Sequence, residues 1–251
     1  MNVNGWRVID TIQGSLSPIF VIKKGLLLAL SRDPKLWIHN SRAHVSRPQR
    51  MYSWYQHAMC IPFLFEPQAI LTVGLGAGAM ATAAVSVAPA VDCIELDNGM
   101  LEAAVKHFSF AHSNRVTLAS ILSYDPSRQY DLIQLDVSSS AGANPDLYSR
   151  KSVAMYKAWL SSNGVLALNL NTRPDIVARL LKNLFSVFGA RCVLVNPVPE
   201  ERVVLCFKSP GHWSLSSLEQ QGIALSKNGI LALDAFTPVL AERFYGDEFR
   251  V

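Results

Sequence analysis

Ile70-Leu71-Thr72-Val73-Gly74-Leu75-Gly76-Ala77-Gly78 is an apolar run that opens into three glycines spaced two apart, and an alanine-rich stretch to Val87 follows it. It reads as a buried strand, a tight turn and a helix. A parallel strand covered on both faces is apolar throughout. Glycine lets the backbone turn sharply and leaves no Cβ between it and a ligand, and the helix amino terminus adds unbonded N–H groups. The stretch 67–91 carries no charge, and a membrane span takes about 20 apolar residues. Its glycines and Pro89 break that continuity, so no membrane association is expected.

Working outward, the same alternation continues downstream. Strands are predicted at 70–75, 91–96, 116–119, 132–136 and 165–170, and helices at 77–87, 99–108, 149–160 and 174–188. Strands alternating with helices make parallel βαβ units and an open α/β sheet. Two last strands, 192–195 and 203–207, are joined by Asn196-Pro-Val-Pro-Glu-Glu as a hairpin, which departs from a simple dinucleotide fold. Upstream, Phe20-Val-Ile and Leu26-Leu-Leu-Ala-Leu flank Lys23-Lys24-Gly25 as a hairpin. Trp37-Ile38-His39 suggests one more strand. Tyr52, Tyr55, Met59 and Phe63 recur at helical spacing, so 48–65 is predicted helical until Glu66-Pro67 closes it. The expected fold is α/β: a seven-stranded Rossmann-like, methyltransferase-type sheet with an N-terminal β-hairpin region. Its divisions are an N-terminal β-strand region (1–47), a linking helix (48–66), a Rossmann-like domain (67–210) and a C-terminal extension (211–251), with a helix predicted at 231–245.

The chain has 251 residues, 50% hydrophobic and 17% charged, which excludes fibrous, low-complexity and disordered classes. Cys60, Cys93, Cys192 and Cys206 form no CxxC pair. They read as reduced core thiols of a cytoplasmic protein, and no metal site is expected. Residues 1–65 hold eight basic side chains against two acids, and the remainder 15 against 17. The amino-terminal part therefore sits more easily beside anions. It lacks a dense basic run with interleaved aromatics, so nucleic acid is not the expected partner.

Three features carry the chemistry. The turn at Gly74, Gly76 and Gly78 would cradle a ligand. Glu95, 21 residues after Gly74, ends the next strand, where a carboxylate can accept the hydrogens of ribose hydroxyls; Asp97 is the alternate. Asp136 leaves the apolar Leu132-Ile-Gln-Leu at the edge of the sheet where ligands bind. A dehydrogenase would use Gly74, Gly76, Ala79 and Glu95 in the GxGxxA manner. An enzyme using S-adenosylmethionine would use the same turn and acid without a pyrophosphate. The GxGxG spacing, Ser120 after the third strand, the Asn163-Gly-Val-Leu-Ala-Leu strand and the final hairpin favour the second class.

On these residues the chain resembles the spermidine synthase (polyamine aminopropyltransferase) family over roughly residues 15–208. Gly14-Ser-Leu-Ser-Pro-Ile-Phe-Val-Ile is similar to that family's small β domain, and Tyr55-Gln-His-Ala-Met to its Tyr-x-Glu-Met helix. Asp131-Leu-Ile-Gln-Leu-Asp136-Val-Ser-Ser resembles the stretch holding its catalytic aspartate, and Leu147-Tyr148-Ser149 continues the match. The resemblance implies aminopropyl transfer from decarboxylated S-adenosylmethionine to an amine, with no metal. Asp136 would take the amine proton, Gly74, Gly76, Gly78, Glu95 and Ser120 would hold the co-substrate, and Tyr55 and Tyr148 would contact the acceptor. It also implies a homo-oligomer. The chain departs from the family's pattern wherever an acid is replaced: Ala77 in the glycine turn, Ser120 near the adenine, Ser139 after the catalytic aspartate, Met51-Tyr52 before the helix tyrosine and His57 after it. Two other functions use the same residues. One is a methyltransferase using S-adenosylmethionine on a non-polyamine acceptor; the other is an inactive member acting as a binding module.

Overall fold

The computed structural model describes residues 2–36, 39–137, 144–170, 174–198, 201–209 and 215–227. The apolar run before the glycines forms β6 (Ala69–Val73), buried from Ile70 onward. After the turn, α2 (Ala79–Val87) begins. Then come β7 (Ala90–Glu95), α3 (Asn98–Phe108), β8 (Val116–Leu118) and β9 (Tyr130–Leu135). They are followed by α4 (Arg150–Trp159), β10 (Leu160–Asn169), α5 (Pro174–Phe188), β11 (Cys192–Val198) and β12 (Glu201–Phe207). The strands form one seven-stranded sheet in the order β11-β12-β10-β9-β6-β7-β8. β6 runs parallel to both β7 and β9, and β12 lies antiparallel between β10 and β11. The uncharged stretch that could mislead a hydropathy reading is thus β6, the turn and α2. No helix among the described residues is long and apolar enough to cross a membrane. Apolar side chains pack on both faces of the sheet, which is why its inner strands lack alternation. All four cysteines are buried and free.

Upstream, β1 (Asn2–Val3), β2 (Trp6–Gln13), β3 (Pro18–Lys24), β4 (Leu27–Ser31) and β5 (Ser41–His44) form a separate antiparallel sheet in sequence order. The predicted hairpin is β3–β4. Of the expected strand 37–39, Trp37 and Ile38 lie outside the described residues, and the next strand is β5 instead. The helix predicted over 48–65 is shorter and split: α1 spans Trp54–Met59 and a 3-10 turn spans Ile61–Phe65. Pro62 has no N–H to continue the helical ladder, and Ser53 and Gln56 form a capping box that starts the helix late. A helix unforeseen in the sequence, α6 (Leu215–Lys227), follows β12. The helix expected at 231–245 lies outside the described residues.

Asp97 fastens the two sheets together. It caps α3 by accepting from Gly99 N at 2.9 Å, and it also accepts from Ser15 N at 2.9 Å. Arg32 Nη1 lies 2.6 Å from its Oδ2, the two side chains being 7% and 0% exposed. Burial pushes the Asp97 carboxyl up, but the Arg32 guanidinium and the backbone N–H groups outweigh it and hold the acid below its ordinary 3.8. Such a depressed acid contributes stability that is present above about pH 4 and lost as pH falls through the lowered value. Asp97→Ala leaves Arg32 buried and unpaired. It is expected to lower the unfolding free energy by about 3–5 kcal/mol, read from urea melts at pH 7, with the gap to wild type narrowing in acid.

Candidate functional site

The chain leaves β6 for β7 on one side, while β9 lies on the other, so the strand order reverses at β6. Ligands of open α/β sheets bind beyond the carboxyl ends of strands at such a point. Here Asp136 N donates to Val73 O at 2.9 Å and Gly74 N to Ile94 O at 2.8 Å, pinning the start of the turn between its neighbours. Gly74 has φ +89°, and a Cβ there would run into the carbonyl oxygen of Asp136. At Gly78, φ is +88° and a Cβ would lie 2.5 Å from the Phe110 ring. The turn therefore needs glycine at both positions, for handedness and for room.

A cavity of about 290 Å³ opens over this turn, and Gly74, Gly76, Glu95, Ser120, Asp136 and Tyr55 all line it. Five of these arise at or just beyond carboxyl ends of strands, while Tyr55 comes from α1. Glu95 is 8% exposed; its Oε2 accepts from Leu75 N at 2.8 Å and its Oε1 from Asp97 N at 2.9 Å. Each oxygen keeps a lone pair, enough to accept the two hydroxyl hydrogens of a sugar diol. Asp97, the alternate acid, is fully buried and is taken up by Arg32, Ser15 and Gly99, so it does not serve the cavity. Ser120 stands at the rim, where its Oγ caps a 3-10 turn by accepting from Leu122 N at 3.3 Å.

Asp136 is the best-supported reactive group. Its Oδ2 accepts from the Tyr55 hydroxyl at 3.1 Å and its Oδ1 from Asn169 Nδ2 at 2.9 Å. Burial raises its pKa above the usual 3.8, while the Asn169 and Tyr55 hydrogen bonds pull the other way. Tyr55 thus holds the aspartate as well as facing the cavity. Tyr148 is different: it is 4% exposed and packs in the core. Burial, then the nearby Asp136 charge, pushes its hydroxyl well up, and it is not among the residues lining the cavity. An acceptor contact through Tyr148 is therefore corrected to a core position behind Asp136. Gly78 packs against Phe110 and, like Ala77 and His57, does not line the cavity; Ser139 lies outside the described residues.

Several wall residues carry no local signature. Ser41, at the start of β5, accepts from Ala77 N at 3.2 Å through its Oγ and seats the N-terminal sheet on the glycine turn. Arg32, Asn40 and Ser17 complete that wall. Asn169 had a usable signal, because it ends apolar β10 just as Asp136 follows apolar β9.

No family model matches the chain. Among curated proteins it is 28% identical over 152 residues to a polyamine aminopropyltransferase of Vibrio vulnificus (strain CMCP6), covering 56% of this chain and 51% of the relative. The chain thus spans about half the length of the curated relative that it matches. Among solved structures it is similar to a probable spermidine synthase from Corynebacterium glutamicum, with TM-score 0.67, 18% identity and coverage of 86% of this chain and 87% of that one. A spermidine synthase in complex with the transition state analogue AdoDATO gives TM-score 0.63 at 16% identity, covering 81% and 74%. Human methyltransferase-like protein 13 in complex with SAH gives 0.60 at 24%, covering 70% and 92%. The fold is the seven-stranded α/β fold of these proteins.

Proposed function

We propose that the chain is an S-adenosylmethionine-type transferase that moves an alkyl group from an adenosyl sulfonium to an amine, in the manner of aminopropyl transfer. The observation that carries this reading is one cavity holding the glycine turn, Glu95 and Asp136 together. The Vibrio vulnificus relative and the AdoDATO- and SAH-bound neighbours support it. The residues fit the ligand class. The glycines leave room against the backbone, Glu95 can accept the ribose hydroxyls, and Leu96 and Ile121 offer apolar surface for a purine. When bound, the sulfonium supplies an electrophilic carbon. The protein's task is to deliver an unprotonated nitrogen to it, and Asp136 accepts the proton that the nitrogen loses. Tyr55 and Asn169 hold the carboxylate in place and favour its charged form.

A second reading, methyl transfer from intact S-adenosylmethionine, is favoured by Arg32 in the cavity wall, a cation that tolerates a methionine carboxylate nearby. Calorimetry with methylthioadenosine, S-adenosylmethionine and its decarboxylated form tests both readings, which fail together if none binds at millimolar concentration. Hydrogen bonds to a charged group contribute about 1.5–3 kcal/mol each. Glu95→Gln is therefore expected to weaken methylthioadenosine binding by about 10- to 100-fold in the same calorimeter.

A further inference from the structure

Two buried thiols that the proposed transfer does not use stand face to face. Cys192 opens β11 and Cys206 lies near the end of β12, directly opposite each other in the antiparallel register. One step outward, Phe207 N donates to Arg191 O at 2.8 Å. Arg191 and Phe207 therefore form a hydrogen-bonded pair, and the two cysteines fall on the neighbouring non-hydrogen-bonded position. Cα atoms at such a position are about 4.5 Å apart with the side chains close together, inside the window of about 4.4–6.8 Å that a disulfide spans. Both side chains join the apolar cluster of Leu166, Leu184 and Phe188, and their sulfurs are in contact at 2.6 Å. The other two cysteines are engaged differently. Cys60 Sγ lies 3.7 Å from Met51 Sδ and accepts from Gln134 Nε2 at 3.3 Å, while Cys93 Sγ accepts from Thr72 Oγ1 at 2.9 Å. Cations gather beside Cys192. Burial lowers the pKa of Lys157, the charges of Arg191 and Lys208 lower it further, and Cys192 opposes them. Lys157, with two further cations about it, thus stands at this sulfur, where positive charge stabilises the negative charge of an attacking thiol. Cys206 is fully buried, whereas Cys192 keeps 4% of its surface exposed. β11 is an edge strand of the seven-stranded sheet, and the end of an edge strand opens at lower cost than the middle of a sheet. A small oxidant arriving by that route meets Cys192 first.

The geometry points to Cys192 and Cys206 as a reversible oxidation site, a dithiol that a peroxide converts to a cross-strand disulfide. The Cys192 thiolate attacks one oxygen of hydrogen peroxide and the O–O bond breaks. The hydroxide released takes up the thiol proton and leaves as water, and Cys192 becomes a sulfenic acid. The Cys206 sulfur then attacks the Cys192 sulfur, the S–O bond breaks, and the hydroxyl leaves as a second water with the Cys206 proton. Two electrons pass from the thiols to the peroxide, and a thiol reductant returns them. The new bond closes the β11–β12 hairpin at its open end, across a sequence separation of 14, and ties the edge strand to the sheet. The site is independent of the transferase reading and stands whether or not an adenosyl ligand binds.

The test treats the full chain with hydrogen peroxide, blocks the remaining thiols with iodoacetamide in denaturant, and maps the peptides by mass spectrometry. The expected product is a Cys192–Cys206 cross-linked peptide, with Cys60 and Cys93 blocked, and dithiothreitol before blocking restores Cys192 and Cys206 as free thiols. Closing a loop of this length is expected to raise Tm by about 6–12 °C in a chain of this size, read before and after dithiothreitol. Cys192→Ser and Cys206→Ser should each abolish the cross-link and the shift, and the wild-type peptide map stands even if a variant folds poorly. Both cysteines fully blocked, after peroxide that has converted glutathione in the same tube to its disulfide, overturns the proposal. So does a Cys192 that goes on to the sulfinic acid without cross-linking. A cross-link that leaves Tm unmoved overturns the tie between the edge strand and the sheet.

Discussion

Asp136→Asn is expected to lower kcat/KM for amine alkylation by about 100- to 10,000-fold, the range that a positioned proton acceptor supplies. Methylthioadenosine affinity should stay within about threefold, since general-base catalysis acts in the transition state and not on ligand binding. The asparagine is close in shape to the aspartate and can still accept from Tyr55, so the core around Tyr148 and Leu135 should persist. The wild-type pH profile supplies an independent check. The carboxylate must be ionised to take a proton, so activity rises with pH through the Asp136 pKa. Burial places that pKa above the usual 3.8, with Asn169 and Tyr55 opposing. The acidic limb should therefore lie above 3.8 and move further up in Asn169→Leu, which removes one donor. A limb unmoved by that variant, or an Asp136→Asn enzyme of ordinary rate, removes Asp136 from the chemistry.

Gly74→Ala is expected to have the largest structural effect. The residue has φ +89°, and the added carbon would meet the carbonyl oxygen of Asp136, which is backbone and cannot swing aside. The left-handed conformation alone costs a non-glycine residue about 1–2 kcal/mol. The collision adds enough to force the ends of β6 and β9 apart, for a total of about 3 kcal/mol or more. In a chain of this size that corresponds to a fall in Tm of about 6–12 °C. Methylthioadenosine binding should disappear with it. Gly25→Ala is the control: φ there is +56°, but nothing lies within 4 Å of the new carbon, so only the conformational cost remains. If both variants melt together, the junction of β6 and β9 is looser than its geometry implies.

What could be read in the sequence is what local chemistry dictates. The glycine turn, Glu95 and Asp136 each follow an apolar strand, and strand ends on one edge of a parallel sheet converge whatever the details of packing. The long helix predicted over 48–65 failed because the spacing of Tyr52, Tyr55, Met59 and Phe63 runs straight through Pro62, where the ladder cannot. α6 escaped notice because Gly222 and its serines weaken the helical pattern, although Leu225 packs against the main core. Arg32, Asn40 and Ser41 carry no motif at all. They reach the cavity only because a separate sheet docks on α3 and on the turn, and docking is a property of two surfaces. Tyr148 shows the converse: a motif position can match while its side chain serves the core.

That docking makes the hollow a joint between two masonry courses, with one face cut from each. Whatever fills it would act as mortar, since Arg32 and Ser41 of the outer course and the turn of the inner one line the same hollow. Ligand at one hundred times its Kd would add about 2.7 kcal/mol against separation of the courses. Peeling of the N-terminal sheet, followed by proteolysis within it, should therefore slow as the hollow fills.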